Sequence, residues 1–511
     1  MNNDQRLHDL NASRTLHDHV LAMAALRPDA PAVKAPLCEW TWRDLAQHVH
    51  AAASSLRGLG VLGGDRIAVV SENSPTTLVV LLAAQTLRAW PAVINARMPK
   101  AEVTRLIECA DPRLVMFSKE NSSAASDISD AFGANELDLH ELGPMAVVTR
   151  TPSIAAQSPS ADPGEETGCL IFTSGTSGAP KAVMISHDGL LNHGRVVGAG
   201  RGTTKDDTIE VTAPLSHVMG WASILAALLF GACVRIQPRL AAGDLAQAIA
   251  HGQVTQASMV PMGWIRLLDQ IEKERIDVSQ NLLRVLVSGG APLDPELKDR
   301  IEKTFGRQMQ NAYGMTEVAP LARTRPGGGR LAWCVGHPEA NVEVRIVDGN
   351  GTLITDSSVG EIEARGPSVM KGYFGNPEAT AEVMREGGWF ATGDLGRWLE
   401  TGEFAVVGRR KEMLIRSGFN VYPAEVEAAL STHPSVLHAA VVGEAASMGD
   451  ELVIAYVQLR DKVDDLDALK DAISQHVRAL LAPYKCPSDI EFVESMPMGS
   501  TGKILKRELR R

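Results

Sequence analysis

Short apolar segments alternate with longer helical patterns along the chain, and this order limits the folds that the chain can adopt. The first such run predicts strands and helices in alternation at residues 65–70, 75–87, 92–95, 100–110 and 113–117. The alternation returns further along, with strand patterns that precede helical stretches at Cys169 and at residues 209–211, 234–236, 257–260 and 285–287. Because strand–helix–strand order buries a sheet between layers of helices, we predict an α/β fold with two stacked α/β layers.

The pattern changes after Pro320, where glycine turns separate short β-like pieces at residues 342–347, 360–365 and 403–407. These pieces predict a small β-barrel-like lobe. The last hundred residues predict a compact α+β unit, with helices and strands at residues 423–431, 437–443, 451–459, 466–481 and 489–493. We therefore divide the chain into a large N-terminal domain, residues 1–410, and a small C-terminal domain, residues 411–511.

Charge and composition argue against several classes of protein. The 511 residues include 50 Lys and Arg against 61 Asp and Glu, and the net charge of −11 repels nucleic acid and anionic membranes. The longest apolar stretches, such as residues 221–233, are shorter than the roughly 20 residues that span a bilayer. The polar N-terminus lacks a signal-peptide pattern, and the six cysteines are scattered without a C-x-x-C pair. We expect a cytoplasmic enzyme with reduced thiols, no nucleic-acid partner and no integral membrane segment.

One segment has the composition of a phosphate-binding loop. Residues 173–181, Thr-Ser-Gly-Thr-Ser-Gly-Ala-Pro-Lys, follow an apolar strand pattern. Small and hydroxyl residues allow backbone N–H groups to surround phosphate oxygens, and Lys181 adds a cation. The spacing differs from that of a Walker loop, because Gly175 and Gly178 lie three apart and Lys181 follows a proline. On composition alone, a flexible linker is an equally good interpretation.

This segment resembles the signature of the adenylate-forming superfamily, which includes acyl-CoA synthetases, luciferases and the adenylation domains of peptide synthetases. Ala182 stands where the signature usually has glycine. Further segments match the family's motifs in the family's order, from about Trp42 to Lys506. The resemblance implies an ATP and acid site in the N-terminal domain, and a mobile C-terminal lid that carries a catalytic lysine, Lys503.

The resemblance also implies which residues bind the nucleotide. Tyr313 would stack on adenine, Thr316 would contact the α-phosphate, and Asp394 and Arg409 would reach the ribose. Glu317 and Thr176 would act in catalysis and hold Mg²⁺, a cation that prefers oxygen ligands. Taken without its neighbours, the segment 312–317 is better interpreted as an ordinary strand-to-helix turn. The full set implied to bind ATP or AMP is Thr173, Ser174, Gly175, Thr176, Ser177, Gly178, Lys181, Gly289, Gly290, Ala291, Asn311, Ala312, Tyr313, Gly314, Met315, Thr316, Asp394, Arg409 and Lys503.

The acid would bind in a pocket gated by His217, a further catalytic candidate, although a lone histidine is more often structural. The pocket residues implied by the resemblance are His217, Val218, Met219, Gly220, Trp221, Met262, Gly290 and Gly314. Met262 and nearby Trp264 could equally be core residues. The stretch 217–221 has no Asp to pair with an amino group and no Arg to hold a second carboxylate. The sequence is compatible with fatty, cyclic and aromatic monocarboxylic acids as substrates.

The same resemblance places a hinge at Lys411 and the CoA-facing surface at Ser417, Gly418 and Phe419. The implied function is an AMP-forming acyl-CoA synthetase that uses ATP, Mg²⁺ and CoA and alternates its C-terminal domain between two half-reactions. A free-standing enzyme that loads a carrier-protein thiol and a non-catalytic nucleotide-binding regulator are the alternatives. A homodimer stays open.

Replacing Lys503 with Ala should impair formation of the acyl-adenylate far more than thioester formation from supplied acyl-adenylate. The reason is that a cation beside the carboxylate and the α-phosphate offsets the repulsion of two anions only in the first step. The two half-reactions are assayed separately, and equal loss in both would contradict the assignment.

Overall fold

The computed structural model describes residues 13–120, 122–139, 142–174, 179–328, 333–416, 419–446, 451–498 and 504–509, with Ser174 described by its backbone alone. The helices are α1 Leu16–Leu26, α2 Trp42–Gly58, α3 Pro75–Thr86, α4 Lys100–Ala110, α5 Ser123–Ala131, α6 His187–Arg201, α7 Val218–Phe230, α8 Ala242–Ala250, α9 Pro261–Glu274, α10 Pro295–Phe305, α11 Pro377–Val383, α12 Pro423–Ser431 and α13 Leu466–Leu480.

The strands are β1 Pro31–Ala35, β2 Cys38–Thr41, β3 Arg66–Ser71, β4 Trp90–Asn95, β5 Leu114–Ser118, β6 Asn135–Leu137, β7 Met145–Thr149, β8 Thr167–Ser174, β9 Pro180–Ser186, β10 Thr208–Val211, β11 Cys233–Ile236, β12 Gln256–Met259, β13 Val285–Gly289, β14 Met309–Met315, β15 Val318–Arg323, β16 Cys334–Pro338, β17 Glu343–Val347, β18 Gly360–Arg365, β19 Gly372–Tyr373, β20 Met384–Arg385, β21 Trp389–Trp398, β22 Phe404–Arg409, β23 Leu414–Arg416, β24 Phe419–Val421, β25 Val436–Ala445, β26 Glu451–Leu459 and β27 Asp489–Val493.

Two large sheets confirm the predicted α/β class. One has the order β19-β9-β8-β4-β3-β5-β7-β6, and the other runs β17-β18-β21-β22-β16-β15-β14-β13-β12-β10-β11-β1-β2. In the second sheet, β14, β13, β12, β10, β11 and β1 pair in parallel. The expected small β lobe is the antiparallel arm β17-β18-β21-β22-β16, which continues this sheet through the β15–β16 pair.

Two helices, α3 and α7, join the sheets into one body. Ser74 caps α3 by accepting a hydrogen bond from the Thr77 N–H, and Pro75 occupies the first turn, where its missing N–H costs nothing. Both helices are apolar around most of their circumference, a pattern typical of buried helices. One apolar cluster contains residues of both helices together with Ile67 of β3 and Ile209 of β10. The predicted layers are therefore stacked on a shared core.

The structure departs from the predicted alternation at Cys169. Its strand β8 is followed directly by the antiparallel strand β9, with Thr173 opposite Lys181, and a helix begins only at His187. The segment 180–186 is a strand because it pairs with β8 along its length, from Thr167 opposite Ser186 to Ser174 opposite Pro180. The candidate phosphate loop thus joins two strands of a hairpin.

The last hundred residues form their own sheet, β25-β26-β27, with helices α12 and α13 at the predicted positions. Two apolar clusters are built entirely from residues between Leu414 and Leu509. Among the helices that the structure describes, none combines the length and the apolar character needed to cross a membrane.

Buried histidines on α6 make the fold sensitive to acid. Burial lowers the pKa of His193 to about 3 and that of His187 to about 4. Both rings are neutral when the chain is folded, whereas in the unfolded chain they take up protons below about pH 6.5. The unfolded state then binds more protons, so stability falls as the pH drops from 6.5 towards 4, by about 1.4 kcal/mol per pH unit for each group.

We therefore expect the free energy of unfolding in urea to fall between pH 7 and pH 5, and to fall less steeply in His193→Gln. His251→Gln is the matched control, because His251 is exposed on the surface. If the free energy of unfolding falls with pH as steeply in His193→Gln as in the parent protein, this assignment is wrong.

Candidate functional site

The site begins where the parallel strands of the larger sheet end. Carboxyl ends of parallel strands meet at one edge, so the segments after β10, β12, β13 and β14 are brought together. Ser288 is paired with Asn311 and Gly289 with Ala312. A Cβ atom on Gly289 would lie 3.0 Å from both the Ala312 carbonyl oxygen and Met219 Cε. Three of the predicted segments therefore meet at this point, and a side chain at Gly289 would crowd its neighbours.

Glu317 lies in a turn between β14 and β15. Met315 pairs with Val318, so Thr316 and Glu317 form the turn between two antiparallel strands, which rules out the strand-to-helix interpretation. Asn311 is anchored upstream, where its N–H donates to Thr324 Oγ1 at 2.8 Å and its side-chain amide donates to the Cys334 carbonyl at 3.0 Å. These bonds fix the strand from which the turn projects.

A triad held by one hydrogen bond and one ion pair joins this strand to the antiparallel arm. Asp394 on β21 lies opposite Arg409 on β22, and Arg409 Nε is 3.3 Å from Asp394 Oδ1. The Tyr313 hydroxyl donates to Asp394 Oδ2 at 2.7 Å. Burial, and then the Asp394 charge, raise the pKa of Tyr313, which stays a donor. Three residues that the sequence assigns to the nucleoside thus form one cluster.

A second cluster contains Glu317, Lys181 and Tyr373. The Tyr373 hydroxyl donates to Glu317 Oε1 at 2.9 Å, and Lys181 Nζ lies 4.6 Å from the centre of the Tyr373 ring. Burial raises the pKa of Glu317, and the Tyr373 hydrogen bond opposes that rise. A buried carboxylate of this kind favours a cationic partner.

Sequence reasoning missed Tyr373. It lies on β19, which pairs with β9 in the other sheet, so Tyr373 reaches Lys181 and Glu317 only through the tertiary fold. A tyrosine beside glycine in a short β-like segment gives no signal of such a role. Three buried serine hydroxyls lie within β12 and β13 or in the segment after β10. Among the described residues they have no hydrogen-bond partner: Ser216, Ser258 and Ser288.

His217 is the residue before α7, and its Nε2 atom is buried without a hydrogen-bond partner in the described part of the chain. Burial lowers the pKa of His217 to about 4, so the ring is neutral at pH 7. A neutral imidazole with a buried, unpaired nitrogen can donate to or accept from a bound ligand.

The other residues predicted for the acid pocket divide by burial. Trp221 belongs to the large apolar core cluster, and Gly220 packs so closely that an added Cβ would lie 2.4 Å from the Pro214 carbonyl oxygen. Trp264 is fully buried and donates to the Val287 carbonyl at 3.2 Å, which makes it a core residue. Three residues are partly exposed, namely Val218, Met219 and Met262, and two are exposed, namely Gly290 and Gly314.

The remaining predicted residues lie nearby or outside the described parts. Ala291 follows Gly290, whose backbone φ of +79° suits glycine. Lys411 follows β22 in a short turn, and burial, together with Arg409, lowers its pKa. Phe419 is 56% exposed and stacks on Tyr484 at 4.7 Å. The residues that fall outside the described residues are Gly175, Thr176, Ser177, Gly178, Ser417, Gly418 and Lys503, together with the side chain of Ser174.

Two family models match the chain. The model described as AMP-binding enzyme matches residues 21–374, and the model described as AMP-binding enzyme C-terminal domain matches residues 425–503. These two matches cover the segments that form the two clusters of the site, apart from Asp394 and Arg409.

Similar proteins cover almost the whole chain. The 4-coumarate–CoA ligase 2 of Oryza sativa subsp. japonica is 30% identical over 98% of this chain and 93% of its own length. A feruloyl-CoA synthase of Amycolatopsis sp is 32% identical over 96% of this chain and 97% of its own. The ATP-bound crystal structure of MatB from Rhodopseudomonas palustris superposes with a TM-score of 0.83 at 25% identity, and covers 97% of this chain and 98% of that one.

Replacing Tyr373 with Phe tests the Glu317 cluster. The change removes only the hydroxyl, and because that hydroxyl lowers the pKa of Glu317, its loss should raise the pKa further. We expect the affinity for ATP in the presence of Mg²⁺ to fall about tenfold, the order of a lost hydrogen bond to a charged group. The pH below which ATP binding weakens should also move to a higher value.

The measurement is calorimetric titration with ATP and Mg²⁺ from pH 6 to pH 8. Tyr373→Leu is the comparison, because it also removes the ring beneath Lys181 and should weaken binding further. Equal affinity and an unchanged pH limit in Tyr373→Phe would show that the hydroxyl has no role in binding.

Proposed function

This chain belongs to the AMP-binding enzyme family of the adenylate-forming superfamily and is an AMP-forming acid–CoA ligase, and from that premise we propose that its acid is an apolar monocarboxylic acid, with aromatic acids preferred. ATP and CoA are its co-substrates. The observation that carries the proposal is the meeting of Met219, Gly289 and Ala312 at one strand edge, where an apolar side chain adjoins the nucleotide segment.

We assign the nucleoside end to the Tyr313–Asp394–Arg409 triad. Asp394 is 6% exposed, and the hydrogen bond from Tyr313 and the ion pair with Arg409 hold its carboxylate in a fixed orientation. A fixed carboxylate can accept hydrogen bonds from two neighbouring ribose hydroxyls. In this assignment, the tyrosine hydroxyl is engaged and its ring is available for stacking on the base.

We assign the triphosphate end to the Glu317–Tyr373–Lys181 cluster. Mg²⁺ keeps several waters and takes one or two carboxylates together with substrate phosphates. Glu317 fits that donor set, because its carboxylate is buried and oriented by Tyr373. Mg²⁺ would neutralise phosphate charge there, with Thr176 as the second predicted ligand.

The acid end is built from groups without charge. In the stretch 217–221, His217 is the only ionisable residue, and its low pKa keeps it neutral at pH 7. No counter-charge in this stretch can hold an ammonium or a second carboxylate, whereas Met219 and the half-buried Met262 offer apolar surface. The rice and Amycolatopsis relatives are named for aromatic acids, which favours that class.

The chemistry then follows in two balanced steps. A carboxylate oxygen of the acid attacks the α-phosphorus of ATP, the bond to the β-phosphate oxygen breaks, and pyrophosphate leaves with the bonding pair. The CoA thiol, as it loses its proton, attacks the acyl carbon of the adenylate, and AMP leaves. The cations of the site, Lys181 and the predicted Lys503, offset the negative charge in the first step.

We also propose that the chain divides into two domains between residues 410 and 411, and that the C-terminal domain changes position between the two half-reactions. This part of the proposal has structural support. It is supported by the separate apolar clusters of residues 414–509 and by the position of Lys411 in the connecting turn. Phe419, exposed at the surface of the smaller domain, would contribute to the CoA-facing side together with Ser417 and Gly418.

The test is pyrophosphate release from ATP and Mg²⁺ across aromatic, cyclic and straight-chain acids, amino acids and dicarboxylic acids, with and without CoA. We expect release to be fastest with an aromatic monocarboxylate, with the matching acyl-CoA as product. Met219→Ala should shift the preference towards bulkier acids, because it removes apolar volume at the Gly289 contact. The His251→Gln variant serves as a matched control.

Preference for an amino acid or a dicarboxylic acid would overturn the proposed acid class. Release without acyl-CoA formation, followed by transfer to a carrier-protein thiol, would instead favour the carrier-loading alternative.

A further inference from the structure

A second cavity lies apart from the clusters assigned above. It has a volume of about 260 Å³, several times the roughly 30 Å³ that one water occupies in the liquid. Its walls come from the end of α6, the end of β15 with the turn that follows, and the end of β16. The lining residues used below are Gly200, Arg323, Arg325, His337 and Glu339.

The cavity wall is rich in cationic groups. Arg323 and Glu339 form an ion pair, with Arg323 Nε 2.8 Å from Glu339 Oε1. Arg323 also donates to Gln310 Oε1 at 3.0 Å, so its charge is held in place by structural partners. Arg325 is exposed beside this pair. Glu339 is the one carboxylate among the described residues that line the cavity, and it is thus already engaged.

Arg201 adjoins this wall, because its charge interacts with those of the lining residues Arg323 and Glu339. It is the last residue of α6, next to the lining residue Gly200, and it is only 9% exposed. Its Nη1 atom is buried and has no hydrogen-bond partner in the described part of the chain. Burial, and then the nearby charge of Arg323, lower the pKa of Arg201 to about 10, so the guanidinium is still charged at pH 7.

A buried charged donor without a partner is costly and calls for an anion. After the Arg323–Glu339 pair cancels, the charges of Arg201 and Arg325 are left, and the C-terminal end of α6 offsets only about half a charge. Guanidinium groups match the geometry of phosphate oxygens, and an excess of more than one positive charge favours a multiply charged anion.

We propose that this cavity, lined by Arg323 and Arg325 and adjoined by Arg201, is a binding site for a free phosphate-type oxyanion, either inorganic phosphate or pyrophosphate. Its lining residues are not among those assigned to the nucleotide, although Arg323 lies opposite Ala312 across the β14–β15 pair. Thr324, which follows Arg323, accepts from the Asn311 N–H at 2.8 Å on the neighbouring strand β14. Pyrophosphate is a product of the ligase reaction, whereas phosphate is not.

The test is calorimetric titration of the full-length protein with inorganic phosphate and, separately, pyrophosphate, at constant ionic strength set with chloride. We expect saturable binding, and the anion with the lower dissociation constant is the one for which the cavity is built. Arg325→Gln should raise the dissociation constant for phosphate about tenfold, because it removes a charged donor. Arg201→Gln should weaken binding at least as much, and Arg266→Gln, on the exposed side of α9, should have no effect.

Arg325 has no part in the assigned nucleotide or acid site, so Arg325→Gln should leave the basal ligase rate unchanged. The proposal is overturned if phosphate raises the melting temperature no more than chloride at equal ionic strength. It is also overturned if Arg325→Gln binds phosphate like the parent protein, which would place the anion at the nucleotide site. If Arg201→Gln does not fold, Arg325→Gln and Arg325→Glu decide the question.

Discussion

The register of the parallel strands β12, β13 and β14 is the constraint on which the rest of the site depends. Their hydrogen bonds place Met259 beside Ser288 and Ser288 beside Asn311, so the segments after each strand emerge at the same edge. A slip of one residue would turn Asn311 and its neighbours to the other face of the sheet. The anchoring of Asn311 to Thr324 and Cys334 shows how firmly that register is held.

Two hydrogen bonds from tyrosines then connect this edge to distant parts of the chain. Tyr313 bonds Asp394 in the antiparallel arm, and Tyr373, from the other large sheet, bonds Glu317. In each case a tyrosine hydroxyl orients a buried carboxylate, and Asp394 is also ion-paired with Arg409. The proposed nucleotide site is therefore assembled from both sheets, and its geometry depends on how the two sheets stack.

Local pattern was enough to predict most of the elements. The helix at residues 100–110 and the strand at 451–459 have the predicted bounds, because the spacing of apolar residues acts over a few neighbours. The strand β9 was missed because the alternation around it suggested a helix, and pairing with β8 decided otherwise. Trp264 could be pocket or core by sequence, and its bond to the Val287 carbonyl places it in the core.

By itself, the sequence determined the class of fold, the order of the segments and the types of side chain that could handle a nucleotide, since these depend on composition and short-range spacing. Only the tertiary structure decided that Tyr373 reaches Glu317, that Arg201 is buried beside Arg323, and that Trp221 belongs to the core. Such contacts join residues tens to hundreds of positions apart, and no local pattern records which surfaces will meet when the sheets stack.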